Sequence, residues 1–298
     1  MAALSRILLR SGALTLGIAP EWGAALTRFD VRRGEATLPI LRPARERDAA
    51  RPPALQASSF AMLPYCGRLR GGEFQFEGRR YRFPLNALPE RHSSHGDGWT
   101  RPWELTQLDR SSASLSLPAS SDAPLPYSAH QRIELQPHQL RITFTLANEG
   151  PDRLPLGIGL HPYFAQRELA QLQADLPQRW QWDDEYMPLS SATNPEREAL
   201  RRGRPIHGLP AACEYAGWDG EALIRWPSLN LEVRLSTLPR LKHVVLWVPK
   251  RQDFFCFEPS SHATDALHAQ PGHAAAEDFI VLEPQARLDQ RFEFNVAY

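Results

Sequence analysis

The sequence predicts an all-β chain, a large antiparallel β-sandwich with few short helices, read as a single domain over residues 1–298. Three observations predict it. Short runs that alternate polar and apolar residues recur from end to end. Turn formers punctuate them at short intervals, with proline alone reaching 27 residues. Helical periodicity is scarce: the best helical candidate is 165–174 (Ala-Gln-Arg-Glu-Leu-Ala-Gln-Leu-Gln-Ala), which offers helix formers but no apolar stripe.

The strand runs follow in order. Leu14-Thr-Leu-Gly-Ile opens the series, and 25–31 follows a turn at Trp22-Gly23. Residues 73–83 alternate polar and aromatic side chains across Glu77-Gly78, which predicts a hairpin. Segments 113–117, 131–135 and 140–146 alternate almost strictly, with turns at Pro137-His138 and Asn148-Glu-Gly-Pro. The alternation returns over 229–235. His243-Val-Val-Leu-Trp-Val is more continuously apolar, the pattern of a strand buried on both faces. The Arg-rich stretch 42–53 and the Ala/His-rich stretch 262–276 read as loops, and no linker or internal repeat divides the chain.

Composition narrows the partners. Lys+Arg 34 against Asp+Glu 34 cancel, so neither nucleic acid nor an anionic membrane surface is expected. Apolar stretches fall far short of a membrane span. Arg6 and Arg10 interrupt the start, so no signal peptide is read there, and three widely spaced cysteines (Cys66, Cys213, Cys256) read as reduced thiols. A cytoplasmic location is the expectation.

Against this background one residue stands out. Glu258 lies in Asp-Phe-Phe-Cys-Phe-Glu-Pro (253–259), an acid inside the most apolar run of the C-terminal third. A buried carboxylate either finds hydrogen bonds or has its pKa raised, and the second outcome makes a candidate general base. Burial among Phe254, Phe255 and Phe257 is the expected cause. His161, in Gly-Ile-Gly-Leu-His-Pro-Tyr-Phe (157–164), is a matching candidate acid, held extended by the following proline. Taken singly, a satisfied core histidine is the plainer reading of it.

Other candidates bind rather than react. Segment 86–99 is polar and turn-rich and concentrates His92, His95 and Trp99 in a long loop. His92 and His95 with His161 would make a metal site, although His-x-x-His alone falls short of the three or four ligands zinc takes. Arg68, before a Gly pair, can fork onto hydroxyls or a carboxylate. Trp218, beside Asp219 and Gly220, has a face suited to stacking on a sugar ring, and a core cap is the equal alternative.

Together and in this order the segments resemble the aldose 1-epimerases, also called galactose mutarotases, over nearly the whole chain. Gly67-Arg68-Leu69, Tyr81-Arg-Phe-Pro-Leu-Asn86, His95-Gly96 with Trp103, and Leu160-His161-Pro162-Tyr163-Phe164 are similar to that family's motifs. So are Phe255-Cys256-Phe257-Glu258-Pro259 with Asp265-Ala266, and the closing strands around 281–284 and 291–294. The resemblance implies a galactose mutarotase-like supersandwich, a small-molecule sugar substrate, and interconversion of α and β anomers of a free hexose, with no cofactor and no metal. It implies Glu258 as base, His161 as acid, and Arg68 and His95 as sugar ligands, in a monomer or homodimer. Two positions depart from the pattern. Gly67 replaces an asparagine, and Ala212 stands where an acid is expected, which leaves Asp219 or Asp97 as substitutes. A hexose 6-phosphate substrate, served by Arg70, Arg91 and Arg101, or a non-catalytic carbohydrate-binding protein are the alternatives.

Overall fold

The computed structural model describes residues 7–45, 52–268 and 279–298. Residues 46–51 and 269–276 of the two predicted loops therefore lie outside the described residues. Two antiparallel sheets face each other. Among the described residues the first has eleven strands, running Ile7–Ser11, Leu14–Ala19, Ala25–Arg33, Ala36–Leu41, Gly159–Ala165, Phe254–Ser260, His243–Trp247, Ala212–Ala216, Gln178–Trp182 and Pro188–Thr193, with Ser59–Met62 bridging Ala25–Arg33 and Gly159–Ala165. The second has nine, centred on Tyr127–Gln136, Gln139–Asn148, Arg287–Ala297 and Leu231–Leu238.

Alternation in the sequence becomes two faces in space. On Tyr127–Gln136 and Leu231–Leu238 every second residue is buried, and those side chains fill the space between the sheets. Aromatic contacts cross that space: Phe164 lies 6.3 Å from Phe294 and 6.4 Å from Trp226, and Phe29 meets Phe294 edge-on at 6.2 Å. Each fully buried large apolar side chain contributes roughly 1.5–3 kcal/mol.

The outer face of the first sheet has its own apolar cluster, formed by Trp22, Phe60, Met62, Cys66, Trp99, Tyr163, Phe254 and Cys256. Strands Gly159–Ala165 and Phe254–Ser260 lie between both clusters and are buried at every residue. Their sequences are accordingly continuous in apolar residues, because neither face meets water.

Two expectations change. Residues 165–174 form no α-helix but a 3-10 turn at Arg167–Leu169 and a strand at Gln171–Ala174, on which Leu172 and Ala174 are buried and Gln171 and Gln173 are not. Sheet pairing overrides the helix propensity of those residues. The described α-helix is Arg197–Arg202. His243–Trp247 is not buried on both faces: Val244 and Leu246 enter the core, while Val245 is half-buried and Trp247 is 37% exposed. The hairpin is as expected, with Glu77 and Gly78 both at positive φ, the turn that matches strand twist.

Candidate active site

Sheet register builds the site. Phe60 opposes His161 across Ser59–Met62 and Gly159–Ala165. Pairs Gly159↔Ser260 and Tyr163↔Cys256 bracket His161 and set it opposite Glu258. Glu258 opposes Val245, and Val245 opposes Glu214. One row, Phe60–His161–Glu258–Val245–Glu214, thus crosses five strands on the outer face, its members drawn from segments more than 180 residues apart.

Within the row Nε2 of His161 lies 3.3 Å from Oε1 of Glu258. The His161 ring stacks on Phe60 and on Tyr163, each with a centroid distance of 4.6 Å. Both groups are buried. The aromatic cage of Glu258 differs from expectation: Phe255 and Phe257 face the opposite way, into the inter-sheet core, because they alternate with Glu258 along the strand. Phe255 stacks on Phe164 and Phe257 meets Trp218 edge-on. Of the three, Phe254 alone belongs to the outer cluster.

His95 completes the cluster from the 86–99 segment. Its ligating atoms and those of His161 and Glu258 lie within 4.8 Å of one another, a spacing that a cation or a polar ligand can bridge. Its backbone sits at φ +58, next to Gly96 at φ +69. The strain is held by Asn86, whose side-chain amide donates to Ser94 O and Gly96 O and accepts from Ser94 N–H, and by the Trp99 indole N–H, which donates to the same two carbonyls. Segment 86–99 is consequently a packed loop, buried from His92 to Ser94 and again from Gly96 to Trp99. Nδ1 of His95 accepts the Gly67 N–H at 3.2 Å, so the neutral ring carries its proton on Nε2, the nitrogen left to donate to a ligand.

Gly67 now has a reason. It sits at φ +70, and a Cβ there would meet Thr264 Oγ1 at 2.4 Å, which rules out a side chain at the position where the family pattern places asparagine. Arg68 follows, half-buried, its guanidinium 4.9 Å over the Tyr186 ring and its Nε 3.5 Å from Glu90.

Electrostatics set the proton count. Burial pushes Glu258 up to about 8, with Arg68 pulling it back and Glu214 adding to the rise. Burial first, then His95 and Arg42, hold His161 well below the usual histidine range. Arg42 acts from 3.5 Å over the Tyr163 ring. Burial and Arg68 push His95 down to about 3. Burial thus favours the neutral form of both Glu258 and His161.

The other predicted residues lie elsewhere. Trp218 is buried in the inter-sheet core and donates its indole N–H to Glu221 O. Asp219 is exposed and accepts the Glu221 N–H. Asp97 accepts the Tyr127 hydroxyl at 2.7 Å. His92 stands outside the His95–His161–Glu258 cluster: its Nδ1 accepts the Gly71 N–H, and its Nε2 lies 3.5 Å from Glu185. The three-histidine metal set is thus not brought together. A cavity of about 900 Å³ lined by Ala266–His268, Phe279 and Val281 among others holds none of the cluster.

Sequence reasoning missed Glu214. Placing the expected acid at Ala212 looked two residues too early: Glu214 lies on the same face of the same strand and is fully buried. Its Oε1 accepts the Thr264 N–H at 2.7 Å and its Oε2 the Trp182 indole N–H at 3.1 Å. The signal was present in Cys213-Glu214-Tyr215, an acid between buried apolar residues, the same signature that singled out Glu258.

A two-sheet supersandwich with an acid/base cluster on the outer face of one sheet is a galactose mutarotase-like fold. Residues 5–295 match the aldose 1-epimerase family, and the chain belongs to it. It is 28% identical over 270 residues to the uncharacterized protein YphB of Escherichia coli (strain K12), covering 88% of this chain and 90% of that one. A solved structure from Escherichia coli K12 superposes with a TM-score of 0.86 at 27% identity over 99% of both chains. A galactose mutarotase-like protein from Clostridium acetobutylicum gives 0.84 at 16% identity, covering 98% of this chain and 95% of that one, a likeness of fold alone.

Proposed function

We propose that this chain interconverts the α and β anomers of a free hexose by acid/base ring opening and closure. The observation that carries the reading is the buried Glu258 carboxyl 3.3 Å from Nε2 of His161, with the ligating atoms of His95 in the same cluster. Anomer exchange needs one group to take the C1 hydroxyl proton while another protonates the ring oxygen, so the C1–O5 bond breaks and the aldehyde recloses on its other face. A carboxyl and an imidazole side by side supply both groups, and the pair is restored at each turnover.

Arg68 and a sugar hydroxyl donating to the carboxylate both favour its charged form. The proton then passes to His161, which gives Glu258 the role of base and His161 that of acid. Nε2–H of His95 is placed to donate to a sugar oxygen, and Arg68 to bind hydroxyls. Of the arginines named for the phosphorylated-sugar alternative, Arg70 lies beside Asp265 and Asp183, Arg91 beside Glu185, and Arg101 beside Asp97. Polarimetry on freshly dissolved α-anomers of glucose and galactose tests the reading. Glu258→Gln is expected to lose about 10²–10⁴-fold in rate while keeping its fold. A variant with wild-type activity would overturn it.

A further inference from the structure

The far end of the catalytic row bears on how a sugar is held. Beyond Glu258 the row continues through Val245, half-buried between two buried carboxylates, to Glu214. The Glu214 carboxylate is wholly buried. What it does is fix Trp182: its Oε2 takes the indole N–H at 3.1 Å, and its Oε1 is committed to Thr264. Trp182 is half-buried at the end of Gln178–Trp182. Tyr186, 47% exposed, meets it edge-on at 5.7 Å. Tyr186 in turn lies under the Arg68 guanidinium, whose charge acts on both Glu258 and His95. These contacts run from the far end of the row back to its centre: Glu214 to Trp182, Trp182 to Tyr186, and Tyr186 to Arg68.

We infer that Trp182, oriented by the buried Glu214, is the aromatic wall on which the C–H face of a pyranose packs, opposite the Glu258–His161 couple. The inference rests on the anomer-exchange reading and adds to it the contact that holds the ring. Two general facts support the choice of ligand. A pyranose carries ring C–H groups clustered on one face, and indole is the aromatic surface that gains most from such contact. An indole whose N–H is tied to a carboxylate has one pose, so little ordering entropy is lost when ligand arrives. Trp218, to which the sequence pointed for this role, has its ring in the core.

The bland alternative is that Trp182 only packs against Trp180, Ala263 and Ala266, its neighbours in the small cluster there. A split of the kinetic constants separates the two. Trp182→Ala is expected to raise KM by roughly three- to ten-fold with kcat nearly unchanged, since the contact is made equally in ground and transition states. D-galactose and D-glucose are expected to quench tryptophan fluorescence in the full-length protein and in an inactive Glu258→Gln background. The quench should persist in Trp218→Phe and vanish in Trp182→Phe, a variant that keeps an aromatic ring and serves where Trp182→Ala fails to fold. A quench that survives Trp182→Phe, or a folded Trp182→Ala with wild-type KM, overturns the inference. Absence of anomer exchange in the wild-type chain would instead sink the activity reading, so the two failures are distinguishable.

Discussion

At the residue scale the proton on Glu258 governs both rate and stability. kcat/KM reports the free protein, in which Glu258 is protonated below pH about 8 and ionised above it. The pH profile is therefore expected to be flat through neutrality and to fall above about 8; a rise through that value would mean that ionised Glu258 acts with a different acid. Stability carries the opposite signature to a salt-bridged acid. Because burial raises the folded pKa from 4.5 to about 8, the folded state holds the extra proton between those values, and stability declines as pH climbs through that window. Glu258→Gln removes the decline. Its melting temperature should match wild type near pH 4.5 and exceed it near pH 8, by an amount equivalent to a few kcal/mol at roughly 1.4 kcal/mol per pKa unit. Thermal melts of both proteins across that range check the sign, and a constant offset would contradict it.

At the element scale the site depends on two backbone segments locked face to face. Strand Arg68–Leu69 pairs with Ser93–Ser94, and Gly67 and His95 exchange hydrogen bonds through Gly67 N–H to Nδ1 and His95 N–H to Gly67 O. Gly67→Ala would drive a Cβ into Thr264 at a positive φ, so we expect a loss of at least about ten-fold in kcat/KM together with a lowered melting temperature, of the order of 1–3 kcal/mol. An active, unshifted variant would show that the junction yields. Period-two alternation made most strands legible in the sequence, and the Glu77-Gly78 turn between alternating runs made the hairpin so. Residues 165–174 misled because their helix propensity is local, whereas the pairing of Gln171–Ala174 with Glu221–Trp226 is set by residues about fifty positions away. His243–Trp247 misled because Val245 and Trp247 are apolar yet line the outer face, where the cluster needs a floor rather than solvation.

At the scale of the molecule the central strands serve two cores at once. Phe255 packs between the sheets while its neighbour Cys256 packs outward, so Phe255→Ala should cost about 3–5 kcal/mol and weaken both, read as a large fall in the denaturant midpoint. Glu258, His161, Arg68 and His95 could be singled out from residue type and local setting. That they meet could not, because their meeting depends on a register among strands distant in the chain. Trp218 lies in the connection between Ala212–Ala216 and Glu221–Trp226, and local sequence there does not say that its ring turns into the inter-sheet core against Phe257. The row across that face has a consequence for how such a surface can change. Side chains here occupy a ruled lattice, with steps of about 4.8 Å from strand to strand and about 6.7 Å between same-face positions along a strand. A functional group cannot drift by an ångström; it hops by a whole lattice unit. New specificities on this sheet would have to arise by discrete moves of that kind.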